Sequence, residues 1–206
     1  MLSEYRVGPI TTVDGGVNPG RTDRFGSLAV TQGKAKYADA VSRGNMYFAA
    51  NQGGVTLSVL STTATGFILT NPKGSGKYLI VYEIAALQTG TAGAANNSGL
   101  QVTFGPYSEI AVIHTTPLTV NNCILGYGNV GVGLVDSAAT LPVTPVSILS
   151  LWQQSISATA TTAIPPQVLY RTDGLLAVSP GCSISMSSLG TAKAVATSMI
   201  WEEVSI

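Results

Sequence analysis

Short apolar runs that alternate with polar residues fill the chain from about Met46 to its end. In one run Val55, Leu57 and Val59 are separated by single polar residues, and residues 183–187 repeat the pattern with serines. Alternation with a period of two is typical of a strand that has one buried face. The pattern therefore predicts a protein built mainly of β-strands.

Clusters of Gly, Pro, Asn and Ser divide this region into about ten predicted strands. The strands are predicted at residues 46–50, 55–60, 66–70, 77–88, 99–104, 143–153, 167–171, 175–179, 183–187 and 194–204. Strands of this number and spacing predict an all-β antiparallel sandwich, jelly-roll-like in type. No sustained helical stripe is present, although the Ala-rich residues 190–196 are compatible with one turn of helix. Glycines interrupt residues 107–140, where we expect loops with one or two short strands.

The first 45 residues have a different texture, with few apolar residues in any period and half of all the charges. Ten of the twenty charged residues fall before position 44. We predict an extended N-terminal arm over residues 1–45, followed by the sandwich domain over 46–206. Two interpretations stay open for the arm: a disordered tail in the isolated protein, or a segment that becomes ordered against a neighbouring subunit.

The composition indicates a protein that assembles with partners. Charged residues make up 10% of the 206, the formal net charge is zero and the mean hydropathy is +0.33. An average soluble domain has about 25% charged residues. Because net charge protects a surface from association, a surface this poor in charge is expected to be covered, and we expect a homo-oligomer, a trimer in particular. The zero net charge gives no electrostatic reason to expect nucleic acid or an anionic membrane as a partner.

The sequence indicates neither a targeting segment nor a disulfide bond. The first six residues lack the apolar core of a signal peptide, and no apolar run approaches the ~20 residues of a membrane span, so we expect a soluble protein. The two cysteines, Cys123 and Cys182, are interpreted as free, partly buried thiols, as is usual in a reducing cytoplasm, although a bond between them stays open.

The glycine-rich run 71–77, NPKGSGK, imitates a phosphate-binding loop. That motif requires a glycine at its first position, Ser or Thr after the lysine, and a helix that follows. This chain has Asn71 at the first position, Tyr78 after Lys77, and a predicted strand beyond. The run is better explained as a tight turn, for which its glycines supply backbone freedom, and we expect no bound nucleotide.

Other catalytic constellations are also incomplete. His114, the only histidine, would have to serve any Ser-His-Asp triad, with Asp136 or Asp173 to orient it, but no Gly-x-Ser-x-Gly elbow is present. One histidine and two separated cysteines do not match a zinc pattern. Glycoside hydrolysis needs two carboxylates across one bond, and the adjacent Glu202 and Glu203 are expected on opposite faces of a strand. We expect no enzymatic activity, catalytic residue, metal or cofactor.

Two patches of the sequence resemble a known class of proteins. The run NPKGSGK at 71–77 leads into a strand at 78–82 and resembles the NPxGSGK turn and strand of tailed-phage virion proteins with jelly-roll folds. Residues 179–181 (SPG) and the final strand, from 194–196 (AVA) to 201–203 (WEE), resemble the closing hairpin of those proteins. The resemblance implies a capsid cement or decoration protein, or another virion module, that is commonly oligomeric. We expect it to be made in the host cytoplasm and located on the capsid surface.

Our leading hypothesis is a non-enzymatic capsid cement protein that bridges subunits of the major capsid protein. The alternative is a receptor- or glycan-binding module of a tail fibre or spike, which would need exposed aromatic residues on loops. A major coat subunit is disfavoured because few basic residues are available to line packaged nucleic acid. The candidate partner-binding residues are the arm positions Arg6, Arg21, Asp23, Arg24, Lys34 and Lys36 and the loop tyrosines Tyr107 and Tyr127.

Overall fold

A computed structural model describes residues 36–89, 96–156, 167–190, 192 and 194–206. The chain divides into two units, residues 1–39 and 40–206. The arm expected over residues 1–45 therefore lies outside the described residues over its first 35 positions. Its last positions are not fully extended, because the short helix α1 (Ala38–Ser42) begins there.

The rest of the described chain forms β-structure. The strands are β1 (Met46–Ala50), β2 (Val55–Thr56), β3 (Thr63–Thr70), β4 (Lys77–Gln88), β5 (Asn96–Gly105), β6 (Ile113–Leu118), β7 (Asn121–Asn122), β8 (Leu134–Thr140), β9 (Val146–Ile156), β10 (Gln167–Val178), β11 (Ser183–Gly190) and β12 (Ala194–Ser205). The prediction of an all-β sandwich is confirmed.

The strands form two antiparallel sheets with jelly-roll connectivity. Sheet 1 has the order β10-β4-β12-β1-β7, with β2 also paired to β12, and sheet 2 has the order β6-β8-β3-β11-β5-β9. Eight of these strands form two sets of four, β1-β12-β4-β10 and β3-β11-β5-β9, and most connections between them pass from one sheet to the other. This is the strand order of a jelly roll. The segment between β5 and β9 adds β6, β7 and β8 to the edges next to β3 and β1.

The core lies between the two sheets, where large side chains from both inner faces meet. The most deeply buried include Phe67 of β3, Leu100 of β5, Met186 of β11 and Trp201 of β12. The rings of Tyr47 and Trp201 stack with centroids 6.3 Å apart. Burial of each such side chain contributes roughly 1.5–3 kcal/mol, so alternating apolar positions are sufficient to specify these inner faces.

Several local expectations are wrong. Residues 107–140 contain three strands rather than one or two, because pairing with the edge strands β3 and β1 supplies hydrogen bonds that glycine content does not reveal. The strand predicted at 55–60 is limited to the two residues of β2. The two strands predicted at 167–171 and 175–179 form one strand, β10, with a register shift and residues of positive φ at 173–174. The turn of helix considered at 190–196 is absent from the described part of that range, and β12 begins at Ala194.

Candidate functional site

The turn between β3 and β4 is organised by the side chain of Asn71, which is completely buried. Its Nδ2 donates to the carbonyl oxygens of Lys77 and Val178, both at 2.8 Å, and its Oδ1 accepts a hydrogen bond from the Ser75 hydroxyl at 2.6 Å. Gly74 and Gly76 have positive φ angles of 79° and 66°, a conformation that side chains other than glycine rarely adopt. A strand follows the turn instead of a helix, so the run lacks the helix N-terminus that a phosphate loop uses.

The same asparagine joins the two sequence patches that resemble phage virion proteins. Its main-chain N–H donates to Cys182 O at 3.0 Å, and Gly181 N–H donates to Asn71 O at 2.8 Å. The final strand then pairs beside β4, with Val204 opposite Tyr78. Residues 71–82 and 179–204, distant in sequence, are thus parts of one hydrogen-bonded unit.

A buried carboxylate fixes the insertion between β5 and β9 to this unit. Glu203 is 2% exposed; its Oε1 accepts from the N–H groups of Val132 at 2.7 Å and Gly133 at 3.0 Å, and its Oε2 lies 3.0 Å from Lys77 Nζ. The adjacent Glu202 faces outward and accepts a hydrogen bond from the Tyr82 hydroxyl at 2.7 Å. The expectation that Glu202 and Glu203 occupy opposite faces is confirmed, so they cannot form a paired catalytic site.

Three exposed side chains connect the 71–77 turn to the segment that follows β5. Lys73 Nζ and the Tyr107 hydroxyl both donate to the carboxylate of Glu109. These hydrogen bonds, with that from Lys73 the larger cause, lower the pKa of Glu109. The bond to Glu109 is also the main cause that raises the pKa values of Lys73 and Tyr107. Because all three groups are exposed, solvent screens the pair and its effect on stability is small.

A pocket of about 260 Å³ lies beside this exposed cluster. His114, on its wall, has Nδ1 2.5 Å from Oδ2 of Asp136, a residue with no exposed surface. The other carboxylate oxygen of Asp136 has no hydrogen-bond partner among the described residues. Of the two aspartates considered as orienting groups for His114, the structure selects Asp136. Ser108 also lines the pocket, and its Oγ accepts from Ile110 N at 3.0 Å. Among the described residues, no serine hydroxyl is hydrogen-bonded to His114. The pair of His114 and Asp136 therefore supplies two of the three groups of a catalytic triad.

Comparison with known proteins does not assign the chain to a family. No family model, curated protein or solved structure matches the chain. Assignment of function therefore depends on the surfaces themselves.

One such surface is the outer face of sheet 1, where a depression of about 340 Å³ lies over four strands. A row of paired positions crosses it, from Ala50 through Ser198 and Ala85 to Leu169. Leu87, a second leucine of this surface, lies two positions from Ala85 on β4 and is 44% exposed. We call this surface the sheet 1 depression. None of the residues that line it carries a charge.

The second surface is the loop that follows β7, residues 123–131, which we call the β7 loop. Its sequence, CILGYGNVG, contains no charged residue. Leu125 is 81% exposed, Val130 80% and Tyr127 53%, which is unusual for three large apolar side chains within six positions. The Asn129 side chain donates to Tyr47 Oη at 2.9 Å and to Gly44 O at 3.1 Å, which attaches the loop to sheet 1.

Only three of the eight predicted partner-binding residues lie within the described part of the chain. Arg6, Arg21, Asp23, Arg24 and Lys34 lie outside the described residues. Lys36 is described, and its Nζ lies 5.1 Å from the centroid of the Tyr37 ring. Tyr107 and Tyr127 are both exposed, as an exposed contact role requires, but they occupy different sites, Tyr107 beside Glu109 and Tyr127 in the β7 loop.

Sequence reasoning missed the sheet 1 depression, the exposure of Leu125 and Val130, and the choice of Asp136 as partner of His114. Only the β7 loop carried a signal, namely apolar residues spaced by glycines. Both cysteines are free, Cys123 half-buried and Cys182 buried, and burial raises the pKa of each thiol. Within the described ranges no helix has the length and apolar character to span a bilayer. Those ranges also contain no group of three or more potential metal-ligating side chains.

Proposed function

We propose that this chain is a non-enzymatic structural protein of a virus particle, a capsid cement or decoration protein that bridges subunits of the major capsid protein and acts as a homotrimer. The observation that carries the proposal is the junction at Asn71. The two patches that resemble phage virion proteins are bonded to each other there, as parts of one end of a jelly-roll sandwich. Because the two patches are in contact, their separate resemblances to phage virion proteins are better explained by one shared structure than by chance.

The charge distribution supports an adhesive role. Only ten charged residues follow position 43, and two of them, Asp136 and Glu203, are completely or almost completely buried. The sheet 1 depression and the β7 loop are uncharged and mainly apolar, and exposed apolar surfaces mark interaction sites. A protein that binds only the assembled capsid stabilises it, because dissociation of the subunits then also requires loss of the bound protein.

The direct test is electron microscopy of purified particles of the virus that encodes the chain, combined with capsids that lack the protein. We expect density for the jelly roll at joints between capsid subunits, and saturable binding of added protein that raises the temperature at which the capsids dissociate. Density confined to the tail would instead support a role in a tail fibre or spike. Absence of the protein from the particles would contradict both functions.

One observation favours the alternative, a receptor- or glycan-binding module of a tail fibre or spike. The exposed Tyr107 lies next to Glu109 and Lys73 beside the pocket that His114 lines, and sugar sites commonly combine an aromatic ring with such polar groups. Titration with bacterial surface glycans would test it. Binding that is lost in Tyr107→Ala but kept in the matched loop variant Tyr127→Ala would support the alternative, and no binding of any glycan would remove it.

A further inference from the structure

The sheet 1 depression and the β7 loop are both exposed in the described chain, and they differ in form. The sheet 1 depression is concave and is lined by small residues, Ala85, Ala196 and Ser198, with Leu87 and Leu169 among its larger ones. The β7 loop projects Leu125 and Val130 into solvent. We propose that the β7 loop of one copy inserts into the sheet 1 depression of a second copy, so that each protomer uses both surfaces.

The sizes of the two surfaces are compatible. The depression measures about 340 Å³, whereas an apolar cavity of roughly 150 Å³ is large enough to hold a benzene molecule. The depression therefore has room for two side chains of the size of Leu125 and Val130. Alanine and serine at its centre keep the floor low, since a larger residue at Ala85 or Ser198 would fill the space.

The absence of charge favours a second copy as the occupant. Neither the lining of the depression nor residues 123–131 includes an acidic or basic side chain. Partners of a different kind are commonly selected by complementary charge, and these surfaces offer none. Contact between them buries apolar groups on both sides without leaving a charge unpaired.

A contact between unlike surfaces also explains both of them together. If two depressions packed against each other in a symmetric dimer, Leu125 and Val130 would remain exposed. A loop-to-depression contact is heterologous, and contacts of this kind close into rings or continue as filaments. A closed ring of three copies matches the expected trimer. This inference rests on the self-association in the proposed function, but not on attachment to a capsid.

The test uses the full-length protein in sedimentation experiments across a micromolar concentration series. Leu125→Asp alters the loop and Ala85→Glu alters the depression, and both introduce the same sign of charge. Each variant alone is expected to associate at least tenfold more weakly than the wild type. The matched controls Ile110→Asp and Ala111→Glu, at exposed positions outside both surfaces, are expected to associate like the wild type, and circular dichroism verifies that every variant is folded.

Mixing the two variants gives the decisive result. Ala85→Glu protein keeps an intact loop and Leu125→Asp protein keeps an intact depression, so the mixture is expected to form a complex of one copy of each. Failure of the mixture to associate, weakened association in Ala85→Glu but not in Leu125→Asp, or a monomeric wild type would each overturn the inference. Binding to capsids is measured separately, because it tests the proposed function and not the contact between copies. If the association experiments contradict the inference but the protein still binds to particles, the proposed function stands without the inference.

Discussion

The Nζ atom of Lys77 lies 3.0 Å from Oε2 of Glu203, whose other oxygen accepts hydrogen bonds from two backbone N–H groups of residues 132 and 133. The lysine side chain is 30% exposed, whereas that of the glutamate is completely buried. This ion pair differs from that of Lys73 and Glu109, four positions earlier in the same turn, in which both side chains are more than half exposed. The two lysines provide a matched comparison of a buried and an exposed pair.

We predict that Lys77→Met lowers the free energy of unfolding by about 1–3 kcal/mol, because a buried carboxylate loses its charged partner. Lys73→Met is expected to leave it nearly unchanged, since exposed pairs contribute little. Urea denaturation of both variants measures the difference. Equal losses in the two variants would contradict the assignment of Glu203 as a stabilising buried group.

Asn71→Ala is predicted to lower the free energy of unfolding by about 2–4 kcal/mol, because Lys77 O and Val178 O lose their shared donor. Ser75→Ala removes a hydroxyl that donates to Asn71 Oδ1 at 2.6 Å and has longer contacts, 3.3 Å, with the main chain of Lys77, and about 1 kcal/mol is expected. Thermal melting with matched calorimetry compares the two. If Ser75→Ala were less stable than Asn71→Ala, the Asn71 side chain would not be the main group that stabilises the turn.

His114 and Asp136 allow a test of a buried carboxylate. We predict that His114→Ala lowers the free energy of unfolding by about 2–4 kcal/mol, because the buried Asp136 side chain then loses the one hydrogen bond it makes within the described ranges. The double variant His114→Ala, Asp136→Asn should recover part of this loss, since a neutral amide costs less to bury than a carboxylate. Chemical denaturation of a full double-mutant cycle gives the coupling energy. Additive effects would contradict a direct interaction.

The acid titration of Glu109 provides a prediction with a defined sign. Its pKa is lowered in the folded protein by hydrogen bonds from Lys73 and Tyr107. A carboxyl group whose folded pKa lies below the unfolded value, about 4.3, contributes stability above that value and loses it as the pH falls through the folded pKa. We expect NMR titration to give a lower midpoint in the wild type than in Lys73→Met. The same midpoint in both proteins would show that the contact is not maintained in solution.

The arm hypothesis predicts that deletion of residues 1–35 leaves the melting temperature of the sandwich unchanged but weakens capsid occupancy in a salt-dependent manner, because that segment carries many charges. Deletion of residues 1–45 should lower the melting temperature as well. It removes the Gly44 carbonyl that accepts from Asn122 Nδ2 at 2.7 Å and the Asn45 carbonyl that accepts from Glu203 N–H at 2.9 Å. Occupancy unaffected by the shorter deletion would exclude an assembly role for residues 1–35.

Local pattern was sufficient for the strands whose apolar positions alternate. Residues 46–50 and 77–88 were predicted with their observed bounds, because one face of each strand lies in the core and the alternation records that burial. Where pairing rather than burial determines the strand, prediction failed. In β6 (Ile113–Leu118) every residue but the last is exposed, and the strand exists because β8 supplies its hydrogen bonds.

The sequence by itself determined the all-β class, the position of the tight turn at 71–77 and the shortage of charge, since each depends on residue type and near neighbours. Only the tertiary structure decided that Asn71 joins the turn to residues 178–182, that Asp136 rather than Asp173 faces His114, and that Ala50, Ser198 and Ala85 form one uncharged row. These relations join positions separated by tens of residues. They arise from the order and register of strands in the two sheets, which no local pattern of polar and apolar residues specifies.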